Sequence, residues 1–278
     1  MLIPDMCLHQ ANVYSGYPEA PAICDSSNPA RGDAHFYTMD PSVAFNASAM
    51  LPPAKFISEN GVESYASLHP LSKVTKPADR FIGSKQTAFR ERAGKDQYSG
   101  WGLGQLNWVA FHFGNASVEK GNTTVGFPDF LVLSQIAAGL GLRGMAEQFR
   151  LQKQSVDEGA TMGHLIWQLQ DNWPGQSFGL LNYGGEWKQQ LHFVRRSFAP
   201  LLVTAAGSLG EPPMIHLVSD IPRPLRRCKV MVSLWEPGVA IAPTLTWNAT
   251  IAEVRKSSPK YPSPLRLLHG HMPLVLPM

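Results

Sequence analysis

The sequence predicts an α/β protein followed by an all-β segment, and three observations carry that prediction. Short apolar runs end in polar, chemistry-bearing residues: His164-Leu165-Ile166-Trp167 runs into Gln168, and Lys55-Phe56-Ile57-Ser58 runs into Glu59. Runs of that length and character suit buried strands. Stripes at helical spacing lie before and after the later run. Leu133, Ile136, Ala137, Leu140 and Phe149 precede it, and Trp187, Leu191, Val194 and Phe198 come after it on one helix face. Beyond Pro200, residues 214–219 and 229–235 alternate with the two-residue period of strands. The expected layout is therefore an α/β domain over residues 1–205 and a partial β-sandwich over 206–278 that ends in a Pro-rich tail.

Bulk properties exclude several classes of function. The 278 residues are 44% hydrophobic and 16% charged, enough for one large domain or two modest ones. A formal charge of +3 is too small to argue for a nucleic acid or an anionic membrane as partner. No apolar run approaches the length of a membrane span, and the first ten residues lack the basic and apolar regions of a signal peptide. Cys7, Cys24 and Cys228 are too far apart in sequence to read as a disulfide framework or a metal cluster. His269 and His271 lack a third ligand, so neither a metal nor a cofactor is expected. Sequons at Asn46, Asn115, Asn122 and Asn248 lean toward a lysosomal or secreted protein.

In chain order, residues 20–27 read as a short strand. Residues 32–37 alternate polar and apolar, a strand whose polar members His35 and Tyr37 face a cleft. Glu59 ends the next strand and Asn60-Gly61 turns the chain. Most glutamates sit at solvated loop edges. A carboxylate closing a buried strand, by contrast, is costly unless it is hydrogen-bonded or chemically active. Residues 71–127 read as loop-rich, and Pro128-Asp129 opens a helix weakened by Gly139, Gly141 and Gly144. Pro200 ends the last helix, on which Arg195 and Arg196 occupy a solvated face. Trp167, Gln168, Asp171 and Trp173 gather rings and hydrogen-bonding groups just past a buried strand. Rings stack on the apolar face of a pyranose while polar groups hold its hydroxyls, so these four are candidate sugar ligands.

Several words of the sequence resemble the beta-mannosidases of the family-two glycoside hydrolases. Trp167-Gln168-Leu169, Asp171, Trp173, Tyr183-Gly184-Gly185, Trp187 and Phe198-Ala199-Pro200-Leu201-Leu202 match the last barrel strand, the loop beyond it and the next helix. Phe56, Ser58, Glu59, Gly61, Ser64, Tyr65 and Ser67 match the nucleophile word, and residues 32–37 match a Gly-Asp-x-His-x-Tyr word. The resemblance implies the C-terminal half of a TIM (β/α)8 barrel, followed by a truncated immunoglobulin-like β-sandwich segment. It also implies a retaining hydrolase of terminal beta-linked mannose with Glu59 as nucleophile. Tyr37 would then hydrogen-bond Glu59, His35 would lie beside it in the substrate pocket, and Trp167 would floor the sugar subsite.

The chain departs from the family pattern at named positions. Gln170 replaces Asn, while Asn60, Glu63 and Ala66 replace an aromatic residue, Gln and Pro. An Arg-Gln-His-His word is met only by Arg90, with no His-His after it. The family's acid/base belongs to an Asn-Glu pair, and no such word precedes Ala20. The expectation is thus a fragment lacking the acid/base half and inactive alone, with a beta-mannoside oligosaccharide as the full enzyme's partner. Two alternatives stand beside it: a non-catalytic fragment or interaction module with the same fold, and an endo-acting beta-mannosidase on N-glycans.

Overall fold

The structure is a computed structural model, and it describes residues 33–38, 40–45, 54–91, 101–153, 161–206, 214–234 and 245–254. The expected strand over 20–27, the Pro-rich tail and the pair His269 and His271 lie outside these residues.

The centre of the fold is a three-stranded parallel sheet: β1 (Asp33–Tyr37), β2 (Phe56–Gly61) and β3 (His164–Ile166), with β2 in the middle. Parallel neighbours need a crossover, which buries one sheet face under helices. Ala34 and Phe36 of β1 and Ile57 of β2 are buried, and the Phe36 ring meets Phe149 edge-on at 6.0 Å. His35 and Tyr37 take the alternate positions and leave the opposite face to carry chemistry. β2 is longer than expected. Glu59, Asn60 and Gly61 are strand residues, so Asn60-Gly61 is no turn.

The register slips by one residue inside β2. Ala34 pairs with Ile57 but His35 pairs with Glu59, skipping Ser58, and the pairing with β3 is likewise irregular between Ile57 and Asn60. An extra residue of this kind is a β-bulge, and it re-aims the side chains beyond it.

Helices fill the crossover from β2 to β3: α1 (Leu68–Ser72), α2 (Lys85–Phe89), α3 (Trp101–Phe113), α4 (Asn115–Gly121) and α5 (Phe127–Gln152). The loop-rich reading of residues 71–127 is therefore corrected. Apolar residues of α3 are spread around the helix from Leu103 to Phe113 instead of forming one stripe, so no helical period stood out. Trp108 and Val109 are nevertheless fully buried between α3 and α5. The glycines of α5 mark close packing and not weakness. A Cβ at Gly141 would lie 2.4 Å from the Trp108 ring, and one at Gly139 would lie 2.5 Å from Phe193.

After β3, α6 (Gln190–Ser197) packs against α5. It is shorter than the stripe predicts, and Trp187 stands exposed before its start. Arg195 and Arg196 are exposed, as expected of a solvated face. Two antiparallel pairs complete the chain: β4 (Leu201–Ala206) with β5 (Met214–Ser219), and β6 (Leu225–Leu234) with β7 (Leu245–Val254). β6 starts before the expected Lys229, and β7 was not foreseen. The first pair is anchored to α5, where Thr204 Oγ1 donates to Glu147 Oε2. Arg150 also donates to the carbonyls of Ser197 and Ala199 and pairs with Asp220 at 2.9 Å. Lys153 meets the same carboxylate at 2.7 Å. Partial burial pushes the Asp220 carboxyl up, but Lys153 and then Arg150 outweigh it and hold the group below its usual range.

Candidate active site

Glu59 sits on the middle strand, so both neighbours supply it with partners. Its Oε2 accepts a hydrogen bond from Tyr37 Oη at 2.9 Å and lies 3.2 Å from His35 Nδ1. The bulge makes this meeting possible. In a straight register His35 would oppose Ser58, and a one-residue slip in a strand exchanges its faces. Both donors reach the same carboxylate oxygen, and Oε1 has no partner among the described residues. The Glu59 side chain is 32% exposed and that of His35 only 13%, so the carboxylate is held from below and open above.

The wall around it depends on Gly61. A Cβ there would lie 2.6 Å from the Trp167 carbonyl oxygen and 2.7 Å from Phe178, with Tyr37 at 3.1 Å. Only a residue without a side chain lets these three surfaces converge. Phe178 meets Tyr37 at 5.2 Å and Trp167 at 5.3 Å between ring centroids, both edge-on, so one ring props the other two. Sequence reasoning missed Phe178, which lies outside every matched word. The Trp167–Gln168 peptide is cis. The Gln168 backbone pairs with Phe178 and Leu180, which ties the end of β3 to the returning loop. Asn60, buried beside Glu59, donates to the Leu165 carbonyl at 2.8 Å and contacts His164 Nδ1 at 3.2 Å, joining β2 to β3.

Trp173 stands farther out on that loop. Arg90 lies 5.6 Å over its ring, and Phe89 meets it edge-on at 6.1 Å. Arg90 also donates to the Pro174 carbonyl at 3.0 Å, which pins the loop from the side of α2.

Asp171 is placed differently from the sequence expectation. It is not a sugar ligand but a buried structural anion. Its Oδ2 pairs with Lys188 Nζ at 2.7 Å, both side chains are wholly inaccessible, and its Oδ1 accepts from the Gly179 amide at 2.9 Å. Burial pushes the Lys188 ammonium below its usual value, while Asp171 and then Glu63 pull it back up. A buried carboxylate is retained only with such a partner, so a hydroxyl ligand would have to displace the ion pair.

Glu63, Glu91 and Gln105 form a second buried polar cluster that the sequence did not announce. Gln105 Nε2 donates to Glu63 Oε2 and to Glu91 Oε2, each at 3.0 Å. Among the described residues, no group of three or more His, Cys, Asp or Glu side chains could hold a metal ion. Nor is any described helix long and apolar enough to cross a membrane.

Comparison with known proteins runs to glycoside hydrolases in both sequence and fold. The curated sequence relatives are beta-mannosidases. The Capra hircus enzyme is 30% identical over 243 residues, which is 86% of this chain and 26% of that protein. The Mus musculus enzyme is 33% identical over 174 residues, 62% of this chain and 19% of its own length. Beta-mannosidase A of Aspergillus clavatus is 26% identical over 232 residues, 78% of this chain and 22% of its own length. The beta-D-mannosidase of Dictyoglomus thermophilum shares the fold with a TM-score of 0.59 at 20% identity, over 83% of this chain and 26% of that one. An exo-chitosanase of Amycolatopsis orientalis reaches the same TM-score at 12% identity, over 81% of this chain and 25% of that one. No protein-family model matches the chain. The resemblance to beta-mannosidases thus holds over most of this chain, which spans about a quarter or less of the curated relatives it matches.

Proposed function

We propose that this chain carries the nucleophile side of a retaining beta-mannosidase site. The observation that carries the reading is the grip on Glu59: two donors on Oε2, no described partner for Oε1, and a converging wall of Tyr37, Phe178 and Trp167. Fixing one oxygen leaves the other aimed and electron-rich. Oε1 attacks the anomeric carbon, the bond from that carbon to the leaving oxygen breaks, and a covalent glycosyl ester forms. The leaving oxygen takes its proton from a second carboxylate, which then activates the water that hydrolyses the ester. A retaining pair stands about 5–5.5 Å apart. Glu63 does not serve as that partner, because it is buried in its own cluster with Glu91 and Gln105. By resemblance the acid belongs to an Asn-Glu word that this sequence lacks.

The same reading extends to architecture and place. The parallel sheet stands for the C-terminal part of a (β/α)8 barrel over 1–205, and the two hairpins for part of an immunoglobulin-like sandwich over 206–278. Terminal beta-linked mannose is the substrate and Trp167 its stacking floor, with His35, Gln168 and Trp173 around it. A lysosomal or secreted setting accords with the sequons at Asn115 and Asn122.

The test joins this chain to a complementary barrel half bearing an acid/base and treats it with a 2-deoxy-2-fluoro-mannoside. The label should appear on the peptide containing Glu59, and Glu59→Gln should lower turnover of an aryl mannoside by more than about 10³-fold. A label on another carboxylate, with the variant still active, would overturn the assignment.

A further inference from the structure

Four segments meet behind the nucleophile strand at the cluster that the proposed reaction does not use. Glu63 lies two residues past β2, Glu91 two residues past α2, Gln105 on α3, and Gln176 on the loop that carries Trp173. All four side chains are buried. The backbone seams between the same segments are close. Ser64 and Ser177 exchange two hydrogen bonds at 3.0 and 3.1 Å, the Gln176 amide donates to the Arg90 carbonyl at 2.9 Å, and Gln176 Nε2 donates to the Thr87 carbonyl at 2.9 Å.

Charge does not balance here if every carboxyl is ionised. The Gln105 amide supplies one N–H to each carboxylate and has no third to give. Glu63 Oε1 is buried without a hydrogen-bond donor, and the two glutamates lie within hydrogen-bonding reach of each other. Lys188 is the cation whose charge reaches Glu63, and it is paired with Asp171 on its other side. The neighbouring Arg90 spends its guanidinium on the Pro174 and Val74 carbonyls. Three carboxylates facing one ammonium in a dry site need a proton among them, because two touching carboxylates cannot both stay charged.

We propose that Glu63 and Glu91 share one proton, and that this proton latches the loop after the nucleophile strand to the rim segment that holds Trp173. With the proton bound, a carboxyl–carboxylate hydrogen bond fills the contact that Gln105 cannot. With the proton lost, two buried anions repel and the seam loosens. Burial, and then the facing Glu91 charge, push the Glu63 carboxyl well above the usual carboxylate range. Gln105 and Lys188 oppose this without reversing it. The resembling words carry Gln at both positions, Glu63 directly and Glu91 when counted from Arg90, and an amide there needs no proton. This proposal rests on the cluster alone and stands or falls apart from the assignment of Glu59.

The experiment is urea unfolding of the whole chain across a pH series, with Glu63→Gln, Glu91→Gln and the double variant beside the parent. A group whose folded-state pKa is raised stabilises fully below its unfolded value and loses that contribution as pH rises toward the folded value. The parent's unfolding constant should therefore gain a component of up to about tenfold per pH unit above about pH 4.5, one proton's worth. Either single substitution should remove that component, and the double variant should remove no more, since the proton belongs to the pair. A component unchanged in both single variants would overturn the proposal, as would its absence from the parent. If the variants fail to fold, infrared difference spectra of the parent with isotope-labelled glutamate decide the matter. A protonated carboxylic acid band persisting to near-neutral pH is the expected result, and its absence overturns the proposal.

Discussion

Tyr37 touches the reacting carboxylate with a single atom, which makes it the sharpest probe of the proposed site. Tyr37→Phe deletes the 2.9 Å donor to Glu59 Oε2 and leaves the ring against Phe178. A hydrogen bond to a charged group contributes about 1.5–3 kcal/mol, so kcat/KM on an aryl mannoside should fall by about 10- to 100-fold. The thermal midpoint should barely move. A loss below about threefold would mean that the hydroxyl does not hold the nucleophile. His35, Tyr37 and Glu59 were legible in the sequence because strand alternation and strand-end position are local properties. Asp171 and the partner of Glu63 were not legible, for the opposite reason. Lys188 is 17 residues from Asp171 and Glu91 is 28 from Glu63, and nothing in the spacing says which charges meet.

Among the elements, α5 shows how packing overrules propensity. Gly141 within a helix forgoes about 1 kcal/mol relative to Ala, so Gly141→Ala should stabilise on propensity alone. The added Cβ, however, lies 2.4 Å from the Trp108 ring, which is itself fully buried, and overpacking of that kind costs about 1–3 kcal/mol. The second effect wins. Gly141→Ala should lower the urea midpoint, and pairing it with Trp108→Leu should recover part of the loss. A stabilised single variant would show that α3 can shift away. The same contact explains why α5 was legible only in outline. The stripe of Leu133, Ile136, Ala137 and Leu140 announced a helix, while the glycines that let α3 and α6 approach looked like breaks. β6 and β7 were half legible: alternation marked residues 229–235, but their partner strand shares its sequence with a stretch that resembles nothing in the family.

For the whole molecule, two buried titrations set opposite limits on stability. His164 lies under Phe149 and Phe198, and its pKa is lowered to about 4 by burial and by the nearby Arg150 charge. A depressed histidine contributes fully above its unfolded value of about 6.5, and that contribution is lost as pH falls toward about 4. The gap is on the order of 3 kcal/mol. Glu63 works in the other direction, so the chain should be most stable at mildly acidic pH. His164→Asn keeps an acceptor near the Asn60 amide and removes the acid limb. If the variant's unfolding free energy still fell steeply between about pH 6.5 and 4, His164 would not be the group responsible.

The bulge in β2 has a consequence for how such chains are compared. Ser58 acts as a phase marker: upstream of it β2 keeps step with β1, and downstream it runs one residue ahead. Substituting Ser58 would leave that phase intact, whereas deleting it would keep every matched word and still turn Glu59 toward the helices. In this fold a carboxylate is aimed as much by the number of residues before it as by their identity.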